Sequence, residues 1–203
     1  VRGFIVEKDF KGFSAPMMKN KWSLRASVTS ELILDNVFVP DENILPNVQG
    51  MKGPLGCLTE ARFGFGWGAM GAAMAVYEAS LKYAKERIQF DKPIASFQLV
   101  QEKLVWMLSE ITKGQMMNLQ VGRLKDSGDM KHQQVSMIKR NNVWVARECC
   151  KLARDIHGAN GISGEYPIMR HLMNIESVFT YEGTHDMHTL ILGNDITGIP
   201  SFE

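Results

Sequence analysis

No stretch of this sequence is both long enough and apolar enough to cross a bilayer. The longest run without a charged residue, 63–77, falls short of the ~20 apolar residues that a spanning helix needs, and it holds four glycines. It reads as a buried soluble helix, and no membrane insertion is expected. A surplus of one charge sign is also missing: 23 Lys and Arg face 22 Asp and Glu, for a net charge of +1. The basic residues are spread along the chain, which argues against nucleic acid or an anionic membrane surface as the main partner. Cysteine is scarce. Cys57, Cys149 and Cys150 are an odd set with two adjacent members, which is no disulfide framework and favours a reducing compartment. No leader is visible; Val1 opens directly on strand-like sequence, so a processed, truncated or partial chain is expected.

What is present divides into two regimes. The 203 residues are 45% hydrophobic, enough for one substantial core and a second small one. Residues 1–40 carry strand-like runs at 3–6, 13–18 and the alternating 28–39, punctuated by Lys11-Gly12 and Asp35-Asn36. Pro40, Pro46, Gly50, Gly53 and Pro54 mark a linker over 41–54. From Leu55 to the end, 55–203, the apolar period changes from two to about three and a half.

A first helix is expected over 55–87, with a small-residue face at Gly64, Gly68, Gly71 and Ala72 that reads as tight helix packing in preference to the approach of a flat ligand. A second starts near Ser96 as N-cap, with the stripe Phe97, Val100, Leu104, Met107, Leu108, Ile111 and later Leu124 before Ser127-Gly128. The third, from about His132, repeats at Val135, Ile138, Asn142, Val145, Cys149, Leu152 and Ile156 and stops at Gly158. Asn142 falls on that apolar seam and requires a polar partner. A shorter amphipathic segment, 166–178, and a last helix, 184–196, complete a mainly α fold: an antiparallel bundle of four or more helices behind a β remnant.

Candidate chemistry concentrates at Tyr181-Glu182-Gly183-Thr184, where a carboxylate precedes a glycine and a helix start. Glycine admits a ligand to the backbone, and first-turn N–H groups can hold an electronegative atom. From residue types alone, an ordinary acidic residue at a helix N-terminus is the favoured reading, as a helix-end cation is for Arg87. His185, Asp186 and His188 suggest a metal, but no third ligand is evident, and a surface or cofactor-lining role is preferred. The 13 methionines fall on core stripes and read as packing.

The combination of motifs adds to this. Tyr181-Glu182-Gly183-Thr184-His185-Asp186, Arg87-Ile88-Gln89-Phe90 with Phe97-Gln98 after it, Gly158-Ala159-Asn160-Gly161, Glu60-Ala61-Arg62 and the glycine-rich helix, with Arg2-Gly3-Phe4 and Ser23-Leu24-Arg25-Ala26-Ser27 in front, occur in this order along the chain. Together they resemble the C-terminal half of the acyl-CoA dehydrogenases. Within that family, Arg25-Ala26-Ser27, Gly53-Pro54-Leu55-Gly56-Cys57-Leu58 and the 181–186 run are most similar to the glutaryl-CoA dehydrogenase branch.

The resemblance implies that 1–40 are the last strands of the family's β-domain and 55–203 its helical bundle. It implies FAD, α,β-dehydrogenation of glutaryl-CoA with decarboxylation to crotonyl-CoA, electron-transferring flavoprotein as partner and a homotetramer. The setting would be the mitochondrial matrix, or the cytoplasm of a bacterium. Glu182 would be the base. Some family members place that base where Ala61 stands here, so Glu182 has no rival. Leu55, Glu60, Arg62, Tyr181 and Gly183 would line the substrate. Arg87 would reach the flavin diphosphate of a neighbouring subunit, with Gln98, Asp155, His157, Gly158 and Ala159 as further flavin contacts, and Thr184 and Asp186 as flavin contacts within the last motif. Ala159 stands in for a second glycine, a strained substitution if its φ is positive. Asn194 replaces a common arginine. The alternatives are a related acyl-CoA oxidase, a monocarboxylic acyl-CoA dehydrogenase, and a non-catalytic helical interaction module.

Overall fold

Strand-like sequence needs a partner ladder, and the first forty residues find little of one. In the computed structural model, which describes residues 1–201, β1 (Phe13–Ser14) pairs antiparallel with β2 (Ile33–Leu34), and single bridges join Phe4 to Ile44 and Met17 to Ser30. The expected strands at 3–6 and 28–39 thus contract to short pairings, with Phe4, Leu34 and Phe38 exposed. Gly12 holds the β1 turn at φ 90°, where a Cβ would lie 2.1 Å from the Asp35 carbonyl oxygen. Lys21 organises the following loop, donating to Leu24 O, Ser27 O and Thr29 Oγ1 at 3.1, 2.6 and 2.6 Å. Residues Val1–Leu58 form one compact unit and Thr59 onward a second.

α1 spans Lys52–Glu86, starting earlier than the expected Leu55. Pro54 sits in its first turn, where the missing N–H breaks no intrahelical bond. α2 runs over Gln98–Asp126, α3 over His132–His157, α4 over Ile168–Thr180 and α5 over His185–Thr197. Among the described residues no helix is long and apolar enough to cross a membrane. α3 is the central rod, packed against α2, α4 and α5. Its stripe carries the core: Val145, Cys149 and Ile156 are buried with Met70, Ala73 and Val76 of α1 and with Leu104, Met107 and Ile111 of α2. Trp106 of α2 meets Trp144 of α3 edge-on, ring centroids 6.3 Å apart.

Several expectations shift. Ser96 does not cap α2; it closes a single 3-10 turn and its hydroxyl donates back to Pro93 O at 2.7 Å, leaving Phe97 at the N-cap. Leu108 is 49% exposed. It belongs to a second apolar stripe of α2, with Val105, Met116 and Leu119, that the chain's own helices leave uncovered. A Cβ at Gly64, Gly68 or Gly71 would meet nothing within 4 Å among the described residues, so these glycines are not required for packing within the helical unit. The close approach occurs at Gly66, where a Cβ would lie 2.7 Å from Asn118 Oδ1. Between α1 and α2, β3 (Ile88–Gln89) and β4 (Lys92–Pro93) form a tight hairpin turned by Phe90 and Asp91 at φ 53° and 60°.

Asn142 is fully buried and partnered. Its Nδ2 lies 2.9 Å from Asn118 Oδ1, 3.2 Å from Gly114 O and 3.3 Å from Gly66 O, while Asn118 Nδ2 donates to Gly66 O at 2.8 Å. The two amides join α1, α2 and α3 through one polar knot. Asn142→Ala leaves Asn118 Oδ1 without its donor in a dry core and is expected to cost about 1–3 kcal/mol, read as a lowered urea midpoint. An unchanged midpoint would show that the knot contributes nothing.

Candidate active site

The segment between α4 and α5 is an elbow made by two consecutive residues in the left-handed region, Glu182 at φ 59° and Gly183 at φ 92°. A non-glycine residue there is strained and needs its surroundings to hold it. Tyr181 closes α4, its N–H donating to Ser177 O. Thr184 opens α5, its Oγ1 accepting from Met187 N at 3.1 Å. Two cations then hold three successive carbonyls. Lys139 Nζ of α3 donates to Tyr181 O at 3.0 Å and Gly183 O at 2.7 Å, and Arg62 Nε of α1 donates to Glu182 O at 2.6 Å. Phe65 packs its ring on Tyr181, centroids 4.9 Å apart. Glycine is required at 183, since besides its φ a Cβ would come within 3.1 Å of His188 Nε2 and 3.2 Å of Arg62 Nη2.

Within this elbow Glu182 Oε2 is buried and has no hydrogen-bond partner among the described residues. The groups around it are perturbed in consistent ways. Burial lowers the Lys139 pKa to about 8, helped by Arg62 and opposed by Glu182. Burial likewise lowers Arg62, again opposed by Glu182, and raises the Tyr181 phenol, which Glu182 pushes further. His188, fully buried, falls to about 4 through burial first and then Lys139 and Arg62, against the pull of the Glu182 backbone. Two cations and a neutral imidazole thus surround one carboxylate. His185 stacks on Phe179, ring centroids 4.8 Å apart.

Glu60 is exposed and paired with Lys125 of α2, and Leu55 is exposed near the start of α1. Asp186 is exposed in the first turn of α5.

A second cluster forms where α1 and α3 end. A cavity of about 300 Å³ is lined by Arg87 and Tyr83, by the β3 residue Gln89, and by Asp155, His157, Gly158 and Ala159. Gln98, exposed at the first position of α2, is not in its lining. His157 is buried, its Nδ1 2.8 Å from Ala153 O and its ring stacked on Tyr83 at 4.4 Å. With a carbonyl facing Nδ1, the neutral ring carries its proton there, and burial lowers the pKa first, against that backbone bond. Nε2 is then a buried acceptor with no donor among the described residues. Asn160 Nδ2 donates to Tyr83 Oη at 3.0 Å, fixing the stack. Gly158 takes φ 56°. Ala159 is not among the positive-φ residues, so its replacement of a glycine carries no such strain. Asp155 is tied to Lys103 and Arg154.

Both clusters hang on α3. Lys139 and His157 are 18 positions apart on that helix (157 − 139), about 27 Å at 1.5 Å per residue. Lys139 and Tyr83 carried no signal read as functional in the sequence, Asn160 entered only as a letter of the 158–161 motif, and His188, read as surface or cofactor-lining, is fully buried. For Lys139 the available signal was its place beside Ile138 on the buried seam, and for Tyr83 its helical spacing from Arg87.

The family profile described as acyl-CoA dehydrogenase, C-terminal domain, matches residues 48–197. The fold is similar to a solved glutaryl-CoA dehydrogenase from Mycobacterium smegmatis, 53% identical with a TM-score of 0.98, covering 100% of this chain and 52% of that one. A further glutaryl-CoA dehydrogenase structure from the same organism, in complex with FADH2, is 46% identical with a TM-score of 0.97, again covering 100% and 52%. Among curated relatives, the acryloyl-CoA reductase (NADH) of Anaerotignum propionicum is 33% identical over 193 residues, 95% of this chain and 49% of that protein. The chain spans about half the length of the curated relatives it matches.

Proposed function

This chain belongs to the acyl-CoA dehydrogenase family, and from that premise we propose that it serves the α,β-dehydrogenation of an acyl-CoA thioester, glutaryl-CoA with decarboxylation to crotonyl-CoA, with Glu182 as the base. The observation that carries this reading is the Glu182 carboxylate oxygen itself, buried and unpartnered on a strained elbow. A base must be free to accept a proton, and an oxygen without a donor is free. Ala61 offers no competing group.

The chain's own residues account for the proton chemistry. A C–H beside a thioester becomes acidic only as charge moves to the carbonyl oxygen, which a fixed backbone N–H stabilises. The N–H of Glu182 would supply that bond, and Gly183 would border the thioester with bare backbone. Arg62 and Tyr181 border the same space, with Leu55 and Glu60 on the approach along α1.

FAD fits the residues present. The Arg87 cavity combines an exposed guanidinium with a bare glycine turn and the donorless His157 Nε2, a donor set suited to a phosphate and a polar ligand edge. Arg87, Gln98, Asp155, His157, Gly158 and Ala159 would hold it on that side, Thr184 and Asp186 beside the base. When bound, FAD supplies the acceptor for the β-hydride. The proposed assembly is a homotetramer in which Arg87 would reach the flavin of a neighbouring subunit; the separation of about 27 Å along α3 is compatible with the two sets serving different cofactor molecules. The uncovered α2 stripe at Val105, Leu108, Met116 and Leu119 supports such an assembly. Electron-transferring flavoprotein is the proposed electron partner, in the mitochondrial matrix or a bacterial cytoplasm.

A test is an acyl-CoA panel on the full-length protein followed by measurement of carbon dioxide release. Flavin reduction by glutaryl-CoA without carbon dioxide would reject the decarboxylation. A preference for short monocarboxylic thioesters would favour the second reading that the acryloyl-CoA reductase relative supports. Arg87→Ala is expected to cost about 1.5–3 kcal/mol of flavin affinity while sparing the fold, since Arg87 is exposed beyond the end of α1. The flavin-to-protein absorbance ratio after dialysis reads it, and unchanged occupancy rejects the role.

A further inference from the structure

Lys139 is 1% exposed, faces no carboxylate in an ion pair among the described residues, and spends its donors on two backbone carbonyls. An ammonium withdrawn from water is costly and is not placed for packing alone. The two carbonyls belong to the residues on either side of Glu182, and all three residues are bonded by an α3 or α1 cation. We propose that Lys139 is a positioning residue for proton abstraction, its ammonium clasping Tyr181 O and Gly183 O so that the Glu182 carboxylate and N–H keep one direction. This rests on the reading of Glu182 as the base.

The geometry of the peptide bond makes the clasp directional. In a trans peptide the C=O and the following N–H point opposite ways. Holding Tyr181 O toward Lys139 turns the Glu182 N–H away from the lysine. Holding Gly183 O fixes the peptide plane after Gly183, so the planes on both sides of the left-handed pair are held from one point. Arg62, bonded to Glu182 O, aims the Gly183 N–H in the same manner. One lysine suits this task because its tetrahedral tip offers three donors from a single point. Its pKa of about 8 leaves it largely charged at neutral pH. Because α3 is the packed core of the bundle, the clasp refers the base to the most rigid element of the chain.

The experiment uses full-length flavoprotein carrying Lys139→Met or Lys139→Ala, with Glu182→Gln as reference. Flavin reduction at saturating acyl-CoA is expected to fall about 100-fold, the loss typical of ångström-scale misplacement, with KM, flavin content and melting temperature near wild type. Propylammonium should restore part of the rate to Lys139→Ala, and tetramethylammonium, which has no N–H, should not. A purely structural lysine would show no such amine specificity. Near-wild-type reduction by Lys139→Met beside an inactive Glu182→Gln overturns the proposal and leaves the base intact. An active Glu182→Gln removes the base and the proposal together. If either lysine variant loses flavin or fold, Lys139→Gln, which keeps two N–H donors, becomes the deciding variant. Loss of fold there as well assigns Lys139 a structural role and overturns the proposal.

Discussion

Glu182→Gln in the full-length protein is expected to bind acyl-CoA and flavin as the wild type does and to lose at least ~100-fold in turnover. Glutamine keeps the size of the side chain, and the elbow is held through main-chain oxygens by Lys139 and Arg62, so the backbone has no cause to move. What disappears is the proton acceptor. Rapid-mixing measurement of flavin bleaching by acyl-CoA separates binding from chemistry: the complex should form at its usual rate and the flavin should stay oxidised. Near-normal bleaching would place the base elsewhere, outside both the elbow and the Ala61 position.

A polypeptide of these 203 residues alone is expected to be helical, colourless or weakly yellow, and inactive with glutaryl-CoA. The unit from Thr59 onward has its own core, built on the α3 stripe, and should fold. The unit before it pairs strands only two residues long and leaves Trp22, Leu32, Leu34 and Phe38 exposed. Unpaired edges and apolar patches of this kind draw chains together, and the uncovered α2 stripe adds to the tendency. The relatives place about as many residues again outside the matched region, and cofactor retention is expected to need them. Light scattering after gel filtration, flavin absorbance and turnover test the three statements. Stoichiometric flavin with turnover would show that half the relatives' length suffices.

The helices were legible because their periodicity and punctuation agree: Gly158 and Gly198 end α3 and α5, and Thr184 caps α5. Asn142 was legible as a polar letter on an apolar stripe. Its partner Asn118 was not, because the stripe read from the sequence passed from Ile111 to Leu124, while the buried face continues through Gly114, Asn118 and Val121; Gly66 leaves the Asn118 amide its room. Lys139 was hidden by the same default that places charged residues at the surface. The β3–β4 hairpin lacks the usual Asn-Gly signal and turns on Phe90 and Asp91, so nothing announced it. Ser96 offered a plausible cap, yet the preceding Pro93 carbonyl captured its hydroxyl. The motif around Glu182 could be read as chemistry only by resemblance. Its left-handed backbone, and the cations that hold it, exist only once α1, α3 and the elbow are brought together.

The edge-on pair of Trp106 and Trp144 gives the bundle an optical signature of its own. Two indoles locked at 82° between α2 and α3 are coupled chromophores in a fixed, chiral arrangement. That arrangement contributes to the near-ultraviolet dichroism only while the helices keep their register, whereas the far-ultraviolet signal persists in any compact helical state. The two spectral regions therefore separate a loosened bundle from a native one without any need for bound flavin.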